Sequence, residues 1–376
     1  MDYYIYDFER PQTPPPPRKQ GWGRLLLAAT LGAAVALAGS AGLGVWLAAE
    51  EPIPVAVPAA PIDALPTMVE IDDEYSPAAV GEAVVPAVVT VQIGAQTPTG
   101  VIPQGSGSGV IIDTAGFIVT NDHVAGDAGS LRVVLSDGRV YEATLVGTDP
   151  VTDLAVLRIE ADNLTAVRFG STEEMQVGDT TVAIGNPLGL DGGPSLTVGV
   201  LSAFGREVRT SATSTLYGMI QTDAPITQGS SGGALVDGAG RLIGITTAVG
   251  VSEVGIEGIG FATPIEIVER VIADILDDGV VAHALLGINV STSFTEIADG
   301  GARPTGVAVD AIEPGSAADT SGLQLGDVIK VVEGIAVDTS SELISALRRL
   351  VAGDLVTLEI ERSGVQLDVP VTLGTL

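Results

Sequence analysis

The residues of this chain best suited to chemistry are a serine, a histidine and an aspartate, far apart in sequence but in a meaningful order. Ser231 stands in Gly229-Ser230-Ser231-Gly232-Gly233, within the run from Asp223 to Val236. A serine with glycine at −2 and +1 suits a nucleophile on a tight turn, because glycine lets the backbone approach a substrate carbonyl closely. Ser230 competes for the role, but only Ser231 has glycine at both positions. The chain holds two histidines, and one, His123, lies upstream in Thr120-Asn121-Asp122-His123-Val124. Asp153, followed by Leu-Ala-Val-Leu157, falls between them. His, then Asp, then Ser is one of the known orders of a Ser-His-Asp triad.

The chemistry such a set performs is acyl transfer. A serine hydroxyl attacks well only if a base takes its proton, and an imidazole that titrates near neutrality can take it and later return it. Asp153 would hold that imidazole in the right tautomer and stabilise the imidazolium. The backbone amides of Gly229 and Ser231 would face the developing oxyanion, where one lost donor costs about 3 kcal/mol. Taken singly, each residue has a plainer reading: a structural histidine, a turn aspartate (as Asp149 before Pro150 is expected to be), a Gly/Ser turn. Their joint order favours catalysis.

Short Val/Ile/Thr runs such as 87–93, 109–112 and 181–184, separated by turn residues, predict a mainly β architecture of barrel or sandwich type that must position these groups. Helical spacing is expected at Ile265–Leu276, closing this region, and again at 341–350. After Asp277-Asp278-Gly279 the chain restarts with strand-like runs, which places a second, smaller domain at 281–376 behind a domain at 79–280. His283, at the start of that second domain, reads as a linker or rim residue. Gly205 to Tyr217, rich in Ser and Thr, reads as a mobile regulatory loop.

Composition excludes several functions. With 17 Lys and Arg against 47 Asp and Glu the net charge is −30, so nucleic-acid binding, which needs a basic face, is set aside. There is no cysteine, hence no disulfide, thiolate metal site or cysteine nucleophile. The expected chemistry calls for no cofactor and no metal.

The first 78 residues carry a different message. Leu25 to Ala49 contains no charge, and as a helix it would reach about 37 Å, enough to span a bilayer. The chain's two tryptophans, Trp22 and Trp46, fall near its ends, with Arg18, Lys19 and Arg24 before it and Glu50 and Glu51 after. A single-pass anchor at 25–49 is expected, with a cytoplasmic, disordered tail at 1–24 and a proline-rich linker at 50–78. Everything beyond would be extracytoplasmic. A cleaved signal peptide is the competing reading, since Ala36-Leu37-Ala38 fits a cleavage site, but the apolar run continues past it.

Gly105-Ser-Gly-Ser-Gly-Val-Ile-Ile112, then Gly116 to Val124 around His123, Asp153-Leu-Ala-Val-Leu157, Gly185-Asn-Pro-Leu-Gly189 and Gly258 to Pro264 together resemble HtrA-family serine proteases, in the right order. The resemblance covers roughly residues 79–376. It implies a trypsin-like pair of six-stranded barrels with the triad in the cleft between them. It also implies a homotrimer. Two departures stand out: Ser230 occupies the position before the nucleophile where the family usually has Asn, and Thr227-Gln228 are also unlike the usual residues.

The resemblance places Ile226 and Val249 on the wall of the primary specificity pocket, with Thr246 to Ala248 as the strand edge that pairs with substrate. Aliphatic walls would accept small or medium apolar side chains and reject Lys and Arg. The second domain resembles a bacterial protease-type PDZ domain, carried by Leu285-Leu286-Gly287-Ile288, Glu313 to Ala318, Ser321 to Ile329 and 341–350. Leu286, Gly287 and Ile288 would form the nest for a peptide C-terminus, the peptide adding as a strand beside a helix. The function implied is endoproteolysis of unfolded or regulatory proteins, in quality control or stress signalling. The alternative is a proteolytically silent PDZ scaffold or chaperone.

Overall fold

The computed structural model describes residues 76–97, 100–186, 193–211, 213–247, 258–297 and 300–376. The expected tail, anchor and most of the linker lie outside them. Among the described residues no helix is long and apolar enough to cross a membrane.

A short helix, α1 (Pro77–Val84), opens the described chain; Ser76 caps it by accepting from the Ala79 amide, and Pro77 sits in its first turn. Six strands follow: β1 (Val88–Thr97), β2 (Gly100–Ile111), β3 (Phe117–Thr120), β4 (Ser130–Val134), β5 (Val140–Asp149) and β6 (Leu154–Arg158). They close into a barrel in the order β1-β2-β3-β6-β5-β4. Between β3 and β4 lies the one-turn helix α2 (Asp122–Ala125).

The next strands are β7 (Arg168–Phe169), β8 (Thr180–Gly185), β9 (Ser195–Arg209), β10 (Thr215–Thr222), β11 (Ala234–Asp237), β12 (Arg241–Thr247) and β13 (Gly260–Pro264). Their order is β11-β8-β9-β10-β13-β12, with β7 added parallel to β12; an extra β11–β12 pairing closes the six into a ring. Helix α3 (Ile265–Asp278) then packs its aliphatic face, Ile265, Val268, Val271, Ile272 and Ile275, into a core shared by both rings. Burying each such side chain contributes about 1.5–3 kcal/mol relative to exposure. Gly279 ends the helix in the left-handed conformation, its amide on the Ile275 carbonyl.

The C-terminal unit comprises β14 (Ala284–Leu285), β15 (Ile288–Glu296), β16 (Ala302–Ile312), α4 (Ala317–Ser321), β17 (Val328–Val332), β18 (Ile335–Ala336), α5 (Ser340–Arg348), β19 (Leu355–Arg362), β20 (Val365–Thr372) and β21 (Gly374–Thr375). Its main sheet runs β15-β16-β17-β19-β20, β18 pairs with β17, and β14 pairs with β21. A reciprocal capping box between Thr339 and Glu342 starts α5. Ser341 and Arg349 reach back to Glu207 and Glu173 of the second ring.

The mainly β expectation and the two-ring architecture hold. The segment 205–217 differs from its reading as a loop. Apart from its tip it is a β9–β10 hairpin, because Val208 and Leu216 turn inward and bury with Met219.

Candidate active site

The structure brings the three separated segments together. His123 sits in α2, directly after β3; its ring Nδ1 faces both carboxylate oxygens of Asp153, at 2.9 and 2.8 Å, and its backbone amide donates to Asp153 Oδ1 at 3.0 Å. That leaves Nε2 as the ring nitrogen able to take a proton. Asp153 is 8 % exposed and ends the four-residue connection between β5 and β6. Its φ of +58° lies in the left-handed region, a strained conformation for a residue other than glycine. Asn121 fixes the same residue from behind, donating through Nδ2 to the Asp153 carbonyl at 2.8 Å and to Thr247 Oγ1 at 3.1 Å.

Burial by itself would depress the His123 pKa, but the hydrogen bond and charge of Asp153, with the charge of Asp122, outweigh it and raise the imidazole above its usual value. Burial and the Asp153 charge likewise raise the neighbouring Asp122 carboxyl.

Ser231 is 6 % exposed and follows a four-residue turn closed by the Ser230 amide on the Thr227 carbonyl, 2.9 Å. Gly229 holds the third position with φ +93°, the value a type II turn requires there. The turn is pinned from below by Ser108, fully buried on β2. Its hydroxyl donates to the Gly229 carbonyl at 2.8 Å and accepts from the Asn186 amide at 2.8 Å. Its own amide donates to the Ser231 carbonyl at 2.7 Å, and its carbonyl accepts from Thr120 Oγ1 at 2.6 Å. A side chain on Gly107 would lie 2.7 Å from Val124 and 3.3 Å from the Ser231 carbonyl, so the segments of His123 and Ser231 close on this one glycine. The alternating Gly-Ser pattern of 105–109 was the visible signal for this contact. Ser108, Thr120 and Asn121 themselves carried no sign of a site role.

Removing the Ser108 hydroxyl strands a buried carbonyl and a buried amide. Ser108→Ala is therefore expected to lower the unfolding free energy by about 1–3 kcal/mol, read as a reduced urea midpoint at unchanged slope.

The residues expected to line the specificity pocket are placed unevenly. Ile226 is half-buried against Gly260, where a side chain on the glycine would lie 2.6 Å from it. Val249 and Ala248 lie outside the described residues. Thr246 is buried on β12 with its main chain already engaged: its amide donates to Gly233 (2.9 Å), and its carbonyl accepts from Gly232 (2.8 Å). Its hydroxyl donates to the Ser230 carbonyl at 2.6 Å. Thr246 thus braces the serine turn, and its main chain is not offered to an extended substrate. Ser230 itself borders a pocket with Ile184, Thr197, Pro225, Thr227 and Thr246.

In the C-terminal unit Leu286 is buried, Gly287 has φ +74°, and Ile288 begins β15, an edge strand. The Leu286 and Gly287 carbonyls accept from the amides of Ala318 and Glu313, each at 2.9 Å. His283 is not a rim residue: it is 4 % exposed and paired with Asp149.

Residues 107–245 match the trypsin-like peptidase domain family and residues 284–373 the PDZ domain family. A probable periplasmic serine endoprotease DegP-like of Chlamydia trachomatis is 40% identical over 269 residues, 71% of this chain and 53% of that protein. The periplasmic serine endoprotease DegP of Escherichia coli is 39% identical over 271 residues, 71% and 56% of the two chains. The chain spans about half the length of these curated relatives. Among solved structures, the HtrA-type protease AlgW with decapeptide is 33% identical and superposes with a TM-score of 0.62, covering 80% of this chain and 99% of that one. With tripeptide, AlgW gives 35% identity and a TM-score of 0.64 over 80% and 97%. The geometry of the His123–Asp153 pair and the buried serine turn therefore belongs to a recognised lineage: this chain is a member of the HtrA-type serine protease family.

Proposed function

We propose that the chain is an extracytoplasmic serine endopeptidase, held at a membrane by residues 25–49, that cleaves unfolded or regulatory proteins and uses its PDZ domain to bind peptide C-termini. The observation that carries this reading is the Asp153 carboxylate on His123 Nδ1, beside a serine turn locked by Ser108. Ser231 Oγ attacks the scissile carbonyl carbon while His123 Nε2 takes its proton. The oxyanion accepts hydrogen bonds from the Gly229 and Ser231 amides. The C–N bond breaks as His123 returns the proton to the leaving amine, and water repeats the sequence on the acyl-enzyme. The edge strand β15 beside Leu286-Gly287-Ile288 offers a bound C-terminus one free ladder side. The periplasmic names of the relatives support the extracytoplasmic setting.

The test is mass-spectrometric mapping of cleavage on an unfolded protein, together with labelling by a fluorophosphonate. Cuts are expected after Val, Ala and Leu, with kcat/KM after Lys or Arg lower by at least about 10²-fold, because an aliphatic wall leaves their charge unpaired. A wild type that neither labels nor cuts is a silent scaffold. Cleavage after Lys or Arg removes Ile226 from the pocket.

A further inference from the structure

Asp153 is held on His123 by a short hairpin, and the back of that hairpin is gripped by the C-terminal unit. The β5–β6 connection runs from Asp149 to Leu154, which pair across it. Asp149 is 3 % exposed. Its Oδ1 accepts from the Val151 amide at 3.2 Å and its Oδ2 from the Thr152 hydroxyl, so one carboxylate shapes the turn that ends in Asp153. The remaining bond to that carboxylate comes from His283, 134 residues later, whose Nε2 lies 2.8 Å from Asp149 Oδ1. Although burial works the other way, the bonds from His283 and Thr152 hold the Asp149 carboxyl below its usual range.

His283 is itself fixed from two directions. Its carbonyl accepts from the Leu376 amide at 2.9 Å, and it bridges to Val351. The preceding Ala282 is clasped by α3: its carbonyl accepts from Arg270 Nη2, and its amide donates to Asp274 Oδ2 at 3.3 Å. Ring Nδ1 is buried without a partner among the described residues, so the one polar contact of this ring is Asp149. On the flank of the hairpin, Val151 and Thr152 share a small cleft with Arg348 of α5.

A buried polar pair of this kind is a poor device for stability alone, since well-packed apolar residues usually do as well. Its geometric content is high, however, because an unpartnered Asp149 would have to turn towards water and take the Val151–Thr152 turn with it. We propose that His283 is a positioning residue for the triad: its ring fixes Asp149, Asp149 fixes the turn, and the turn sets the Asp153 carboxylate on His123. The inference rests on the serine-protease reading above. It makes the C-terminal unit a structural part of the catalytic centre, quite apart from any peptide that unit binds.

The test compares wild type, His283→Ala and His283→Gln in the full chain, with a fluorogenic peptide carrying Val before the reporter amide. Labelling rate by a fluorophosphonate and thermal melting are measured alongside. His283→Ala is expected to lower kcat and the labelling rate by about 10–100-fold through misplacement of Asp153. KM should stay within about twofold, since no substrate contact is lost. His283→Gln keeps a donor near the Nε2 position and is expected to restore kcat to within about threefold. A melting point lowered in His283→Ala with kcat unchanged makes the residue merely structural and overturns the proposal. So does a rise in kcat, or a glutamine variant as slow as alanine. A wild type that never labels sinks the serine-protease reading itself, whereas a labelled wild type matched by His283→Ala sinks only this assignment.

Discussion

Ser231→Ala is expected to abolish fluorophosphonate labelling and to lower kcat by about 10⁶-fold, the scale set by loss of a serine nucleophile that acts as one unit with its base. The fold should survive. The Ser108 amide holds the Ser231 carbonyl, and alanine leaves that backbone bond in place. KM should change little, because binding depends on the cleft and the hydroxyl contributes mainly in the transition state. The control is Ser230→Ala. Ser230 is held through its carbonyl, which accepts from Thr246 Oγ1 and is kept by alanine, so its variant should label at a rate near that of wild type. Labelling that persists in Ser231→Ala and vanishes in Ser230→Ala would move the nucleophile by one residue; persistence in both would remove the proposed chemistry altogether.

That Ser231 could be singled out from sequence reflects local information: glycine at −2 and +1 is a backbone requirement written in adjacent positions. The order His123, Asp153, Ser231 and the β-rich runs around it were legible for the same reason. Ser108 was not, because its role lies in a bond to Gly229 across 121 residues, and a buried serine looks like any other in a Gly-Ser strand. The same limit hid Asn121, which holds the Asp153 carbonyl, and Thr246, whose hydroxyl braces the turn. His283 was misjudged as a rim residue since nothing near it in sequence announces Asp149 as its partner. The 205–217 segment misled in the opposite way: its Ser and Thr suggested a loop, while two inward positions, Val208 and Leu216, were enough to hold a hairpin.

Asp153→Asn is expected to lower kcat about 10⁴-fold at neutral pH while leaving the protein folded. Asparagine tolerates the left-handed conformation that Asp153 adopts at φ +58°, whereas Asp153→Ala would add backbone strain to the chemical loss and blur the result. The chemical loss arises at Nδ1. A carboxylate there only accepts, which fixes the proton on Nδ1 and leaves Nε2 free to take one from Ser231. The asparagine amide can donate to Nδ1 instead, which fixes the proton on Nε2 and removes the base. A second signature separates this from simple misfolding. The pKa of His123 is raised because the Asp153 bond and charge outweigh burial, and His123 works as a base only when neutral. The acid limb of the wild-type kcat/KM profile should therefore lie above the ordinary imidazole value. Without the carboxylate, burial dominates and the limb should move to lower pH. The deficit of Asp153→Asn against wild type should thus narrow as pH falls, because wild type loses its base first. An acid limb that stays in place, or a loss smaller than about tenfold, would show that Asp153 does not orient His123, and the pair would then be a structural contact near a site built from other residues.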